Sequence, residues 1–79
     1  MDYRQYIIRD PKICGGEPVI KGTRVTIRTI LASLAEGDRV EEILEDFSTL
    51  TEEAVRAVIA FAAVSAEEDL PVQSVPNIP

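Results

Sequence analysis

The sequence is poor in the residues that carry most enzyme chemistry. Its 79 residues include no histidine, no tryptophan and a single cysteine, Cys14. Without histidine the chain lacks the commonest general base and the commonest metal ligand, and a lone cysteine excludes an intramolecular disulfide. No apolar run approaches the ~20 residues of a membrane helix, and no basic-then-apolar signal pattern opens the chain. We therefore expect a cytoplasmic protein that lies outside membranes and uses no metal or other cofactor.

The length permits one small domain with an aliphatic core. Hydrophobic residues make up 46% of the chain, but aromatic residues only 5%. A chain of this size buries roughly 60% of its unfolded surface, so its stability is marginal unless a partner adds contacts. This thin core favours a homodimer.

The charge is divided unevenly along the chain. Residues 1–30 carry six basic and three acidic residues, a net charge of +3, whereas residues 31–79 carry two basic and eleven acidic residues, a net charge of −9. Such a split is typical of proteins with a charged partner. Solvated helices rich in glutamate produce the same pattern without any partner.

Three stretches show the spacing of amphipathic helices. Apolar residues recur at i, i+3, i+4 and i+7 in each of them, which places one apolar stripe on each helix. The predicted helices lie near residues 27–36, 39–47 and 52–68.

Local signals mark where these helices begin and end. Thr26 and Thr51 precede the first and third helices as N-caps. Asp38 and Glu41 have the spacing of a capping box for the second helix. Gly37 is a natural C-terminal stop for the first helix.

The predicted organisation is an arm, a helical body and a tail. The arm, residues 1–25, contains short strand candidates and reads as a small hairpin or an irregular segment. The body, residues 26–69, has links short enough to make consecutive helices neighbours. We therefore predict a mainly α fold, a three-helix helix-turn-helix bundle behind a short N-terminal β arm. An ordinary three-helix bundle that binds no nucleic acid has the same helix count and the same loop lengths.

The tail, residues 70–79, contains three prolines and is predicted to be extended. Its apolar side chains suit binding in a partner's groove, although a frayed terminus has the same composition. The predicted partner-binding residues are Leu70, Val72, Val75 and Ile78.

No catalytic constellation is evident. The many glutamates of the helices lie on the polar faces, where no cleft would shift the pKa of one carboxyl of a pair. The glycines of the arm do not have the spacing of a phosphate-binding loop. We predict no catalytic residue and no enzyme activity.

Four basic residues are candidates for nucleic-acid contacts: Lys21, Arg24, Arg28 and Arg56. Arg28 lies in a first helical turn, where the helix dipole disfavours a cation, and this placement indicates an additional role. Contact with phosphate is one role, and pairing with an acidic helix, for example at Asp46, is the structural alternative.

The predicted recognition helix is poorly suited to DNA. It begins with Thr51, Glu52 and Glu53, whose carboxylates would face the phosphates of the groove. Only Arg56 offers attraction there, so the basic arm would have to supply the rest.

One run of residues resembles a known family. Residues 13–25 read Ile-Cys-Gly-Gly-Glu-Pro-Val-Ile-Lys-Gly-Thr-Arg-Val, and the similarity extends over roughly residues 6–63. The chain resembles domain-of-unknown-function family 433, a set of small prokaryotic proteins. The signature positions are Gly16, Pro18, Gly22, Thr23 and Arg24.

This resemblance implies a homeodomain-like three-helix fold and a role in a toxin–antitoxin system. Many members of the family look like VapB-type antitoxins encoded beside a PIN-like ribonuclease toxin. On this interpretation the protein binds and silences its toxin and, through its helix-turn-helix, represses its own operon. A stand-alone DNA-binding regulator and a dimeric interaction module without DNA binding are the alternatives.

Overall fold

The computed structural model describes residues 2–69, which form a two-stranded hairpin followed by three helices. The elements are β1 (Ile7–Ile8), β2 (Val19–Ile20), α1 (Ile27–Ala35), α2 (Val40–Asp46) and α3 (Glu52–Asp69). The predicted mainly α fold, with three helices behind an N-terminal β arm, is confirmed. The predicted partner-binding residues Leu70, Val72, Val75 and Ile78 lie outside the described residues.

Helix α1 has the predicted start and stop. The hydroxyl oxygen of Thr26 accepts a hydrogen bond from the backbone N–H of Thr29 at 3.3 Å. At the other end, Gly37 adopts a φ of 98°, its N–H donates to the carbonyl of Leu34, and that of Asp38 donates to Ser33. This pair of bonds is a Schellman motif, and glycine suits its left-handed position because it has no Cβ.

The predicted capping box of α2 is wrong by one residue. Glu42, not Glu41, reaches back, and its Oε1 accepts from the backbone N–H of Arg39 at 2.9 Å. Asp38 cannot begin α2 because its own N–H still closes the end of α1. Helix α2 therefore begins one residue later than the sequence signal indicated.

Helix α3 begins as predicted, since the hydroxyl of Thr51 accepts from the backbone N–H of Ala54 at 3.1 Å. With 18 residues it is the longest of the described helices. No helix within residues 2–69 combines the length and the apolar character needed to cross a bilayer.

The core lies where the three helices meet the second strand. Residues of all three apolar stripes are buried there, which confirms that the helices share one interior. The buried cluster comprises Ile20, Ile27, Ile30, Ile43, Leu50, Ala54, Val55 and Val58. Tyr3 closes the far side by packing edge-on against Phe61, with ring centroids 5.3 Å apart.

The two strands of the arm are joined by residues 9–18, a longer loop than the sequence indicated. β1 and β2 are antiparallel, with Ile7 opposite Ile20 and Ile8 opposite Val19. Beyond this pairing, one bridge joins Val19 to Thr26. Residues 18–20 and 25–27 also run antiparallel, since the N–H of Ile20 donates to Val25 and that of Ile27 donates to Pro18. Residues 21–23 are therefore the turn of a small hairpin, and β1 pairs with the other edge of β2.

Candidate functional site

The family signature builds a tight turn at residues 20–23. The N–H of Thr23 donates to the carbonyl of Ile20 at 3.0 Å, and its hydroxyl donates to the same oxygen at 2.8 Å. The hydroxyl oxygen also accepts from the N–H of Val25 at 3.0 Å. Gly22 has a φ of 82°, which only glycine adopts without strain. The Gly22-Thr23 pair therefore fixes the shape of the turn.

A second loop is tied to this turn. Cys14, Gly15 and Gly16 follow one another with φ values of 49°, 65° and 87°, a left-handed stretch that favours glycine. The Cys14 thiol donates to the backbone carbonyl of Arg24 at 3.3 Å. Pro18 then leads into β2, and its carbonyl accepts from the N–H of Ile27 at the start of α1.

Each of the five signature residues takes part in these contacts or supplies the backbone geometry they need. Gly16 and Gly22 supply left-handed backbone, Thr23 supplies a hydroxyl that bonds twice, and the carbonyls of Pro18 and Arg24 accept bonds from distant residues. Together they lock the arm against α1. The Arg24 side chain is exposed and takes no part in this lock.

Two of the four predicted nucleic-acid residues are held in ion pairs. Arg28 Nη2 lies 3.0 Å from Glu17 Oε2, so its partner comes from the arm and not from Asp46 on α2. Arg56 Nη2 lies 2.9 Å from Glu52 Oε1, one turn earlier on α3. Both pairs are exposed, and such pairs contribute about 0–1 kcal/mol. They are therefore weak enough to exchange for a phosphate or for a partner's charge.

Lys21 and Arg24 form no ion pair within residues 2–69. Both are exposed, Lys21 on the signature turn and Arg24 directly after it. Lys21 lines a depression of about 200 Å³ together with Thr49 and Thr51, two threonines of the link that precedes α3. The structure thus brings Lys21 to the helix that sequence reasoning expected to enter DNA.

The four predicted cations do not line a common depression. Arg28 lines a different depression from Lys21, and the two share no lining residue. Arg56 is exposed on α3, at a position that lines neither depression.

Six exposed acidic residues lie on α2 and at the start of α3. Each lies on the exposed side of α2 or in the first turn of α3: Glu41, Glu42, Glu45, Asp46, Glu52 and Glu53. We call this set the acidic face. Within residues 2–69 two of its members have a basic partner, Glu42 with Arg39 and Glu52 with Arg56. The other four carboxylates have none there, so the face is strongly negative at neutral pH.

Glu42 is also held in its charged form. The backbone N–H of Arg39 and, to a smaller extent, the Arg39 guanidinium hold the pKa of the Glu42 carboxyl below its ordinary value, because both donate to the carboxylate.

Among residues 2–69 no group of three or more histidine, cysteine, aspartate or glutamate side chains could hold a metal ion.

An open apolar groove of about 530 Å³ lies along α1 on the side facing the arm. Sequence reasoning missed this feature, because α1 meets the arm there only in the folded chain. The groove is lined by Glu17, Pro18, Ile27, Arg28, Leu31, Ala32 and Ala35.

Comparisons with known proteins agree with the resemblance seen in the sequence. A family described as "Protein of unknown function (DUF433)" matches residues 7–62. The chain is similar to the uncharacterized protein y4eO of Sinorhizobium fredii, at 39% identity over 59 residues, which is 75% of this chain and 27% of that protein. It thus spans about a quarter of the relative's length.

The fold also has a counterpart of known structure. A crystal structure of a DUF433 member protein from Anabaena variabilis superposes with a TM-score of 0.73 at 28% identity, covering 85% of this chain and 70% of that one. The family match spans most of the chain, including the signature turn and α3 up to residue 62. The protein therefore belongs to the DUF433 family.

Proposed function

We propose that this protein is an antitoxin-like binding protein that neutralises a PIN-like ribonuclease toxin and performs no catalysis itself. The acidic face is the observation that carries the proposal. A ribonuclease that grips RNA presents a basic surface, and an opposing negative surface both steers association and covers that site. Such a role places the protein in the cytoplasm, with the toxin and its RNA substrates.

The arrangement of charges within the acidic face supports this role. Glu41, Glu45, Asp46 and Glu53 are exposed and have no basic partner within residues 2–69. A basic partner therefore gains their charge without first breaking an internal ion pair. Unpaired surface charges of one sign act mainly on the association rate and on the choice of partner.

The test is co-expression with the product of the adjacent open reading frame. We expect the two proteins to co-purify and the neighbour's ribonuclease activity to fall when this protein is added. The double variant Glu45→Gln/Asp46→Asn should weaken binding. The control Glu36→Gln/Glu67→Gln removes two exposed acids outside the acidic face and should bind as the wild type does. A neighbour that neither co-purifies nor is inhibited, or equal weakening in both variants, would count against the proposal.

A second candidate function is DNA binding, through which the protein would repress its own operon or act as a stand-alone regulator. The position of Lys21 beside Thr49 and Thr51 favours it, because a cation and hydroxyls at the start of α3 suit a phosphate contact. Glu52 and Glu53, exposed in the same turn, oppose insertion into the groove.

A salt series with DNA from the gene's upstream region tests this second function. DNA binding predicts affinity that falls steeply with salt, and weaker binding in Arg24→Ala than in Arg9→Ala, since Arg9 is an exposed arginine outside the signature. Absence of a mobility shift at low salt would remove the DNA-binding function and leave the protein-binding one intact.

A further inference from the structure

The apolar groove along α1 exposes apolar side chains to solvent, as α3 does at Ile59, Ala63 and Ala66. Its wall includes Leu31, which is half-buried, and Ala32 and Ala35, which are exposed. A helix face turned to solvent usually carries charged and polar side chains. This face instead presents methyl groups beside the ring of Pro18.

The charge of the groove is balanced, whereas the chain is acidic overall. Helix α1 contains one charged residue, Arg28, which pairs with Glu17 at the rim of the groove. The lining therefore carries one positive and one negative side chain. By contrast, four of the seven residues of α2 are acidic, and the whole chain has a net charge of −6.

We propose that the groove is the docking surface for a second copy of this chain, in a two-fold symmetric dimer with the α1 helices side by side. In such a dimer the same patch meets itself, so a suitable patch must be self-complementary. The groove meets this requirement, because a two-fold rotation can set each Arg28 against Glu17 of the partner subunit. The apolar lining on both sides then leaves water together.

Charge also excludes the acidic face as the surface of self-association. Two acidic faces brought together would set like charges against one another, which opposes association. The groove avoids this repulsion. A basic ribonuclease, in turn, gains no electrostatic advantage from the groove, whose charges balance. The proposal therefore goes beyond the antitoxin role by assigning two partners to two surfaces, the ribonuclease to the acidic face and the second copy to α1.

Analytical ultracentrifugation of the full-length chain over a range of concentrations tests this assignment. We expect a concentration-dependent dimer. Ala32→Glu adds a negative charge in the groove of each copy and should raise the dimer dissociation constant about ten-fold or more. The control Ala63→Glu makes the same change at an exposed position of α3 and should leave the constant unchanged. Circular dichroism checks that both variants keep the wild-type helix content.

A charge exchange separates the electrostatic contribution from the apolar one. Arg28→Glu should weaken the dimer, because it leaves each groove with two acids, and adding Glu17→Arg should restore it. A wild-type chain that is monomeric at every concentration would overturn the proposal. So would equal weakening in Ala32→Glu and Ala63→Glu, or a failure of the exchange to restore the dimer. A monomeric wild type whose ribonuclease binding is lost in Ala32→Glu would assign the groove to the ribonuclease instead.

Discussion

Replacing Thr23 with valine tests whether the signature turn holds the arm in place. The Thr23 hydroxyl donates to the carbonyl of Ile20 at 2.8 Å and accepts from the N–H of Val25 at 3.0 Å. Valine keeps the β-branched shape and removes both bonds. The effect therefore reports hydrogen bonding and not a change of volume.

The expected loss follows from the two bonds. Each contributes about 1 kcal/mol net to stability, so Thr23→Val should lower the free energy of unfolding by about 2 kcal/mol. In a domain of this size that loss lowers Tm by about 8–16 °C. The loss is large for a chain whose stability is marginal.

Urea and thermal unfolding, followed by circular dichroism, measure this difference. The matched control is Thr49→Val, since Thr49 is exposed and its hydroxyl has no hydrogen bond within the described residues. The control should stay within about 0.5 kcal/mol of the wild type. If Thr23→Val and Thr49→Val were equally stable, the lock inferred for the signature turn would be wrong.

Three further substitutions test other parts of the structure. Gly22→Ala should cost about 1–2 kcal/mol in urea unfolding through backbone strain alone, because φ is 82° and nothing lies within 4 Å of the added Cβ; an unchanged midpoint would contradict the left-handed turn. Ile30→Ala should cost about 2–5 kcal/mol, since Ile30 is fully buried between the helices, and a loss under about 1 kcal/mol would place it outside the core. Glu42→Gln should change how the free energy of unfolding depends on pH in acidic solution. The pKa of Glu42 is lowered in the folded protein, so its stabilisation is complete above pH 4.5 and disappears as the pH falls through the lowered pKa. The variant should therefore be less stable than the wild type at neutral pH and equal to it in strong acid, and a pH-independent difference would exclude this linkage.

The helices could be predicted from the sequence because their signals are local. The caps at Thr26 and Thr51 and the stop at Gly37 each depend on residues within one turn of the helix end. The capping box of α2 could not be placed correctly, because the end of α1 and the start of α2 compete for Asp38. Only the folded chain decides that competition.

The arm was harder to predict because its contacts are non-local. Each of its strands has two residues, too few to show a period, and Ile7 pairs with Ile20 across a loop that no short-range rule specifies. The ion pair of Arg28 with Glu17 spans the same irregular segment, which is why an acidic helix looked like the natural partner. The basic residues of the candidate site could be chosen from the sequence, but their ion-pair partners could not.

The dependence of ribonuclease binding on salt is the most direct test of the acidic face. If Glu41, Glu45, Asp46 and Glu53 attract a basic partner, the association rate constant should fall steeply as ionic strength rises, and Glu45→Gln/Asp46→Asn should both slow association and flatten that slope. The dissociation rate should change less. An association rate that is independent of salt, or a slope that the double variant leaves unaltered, would contradict the acidic face as the surface that binds the ribonuclease.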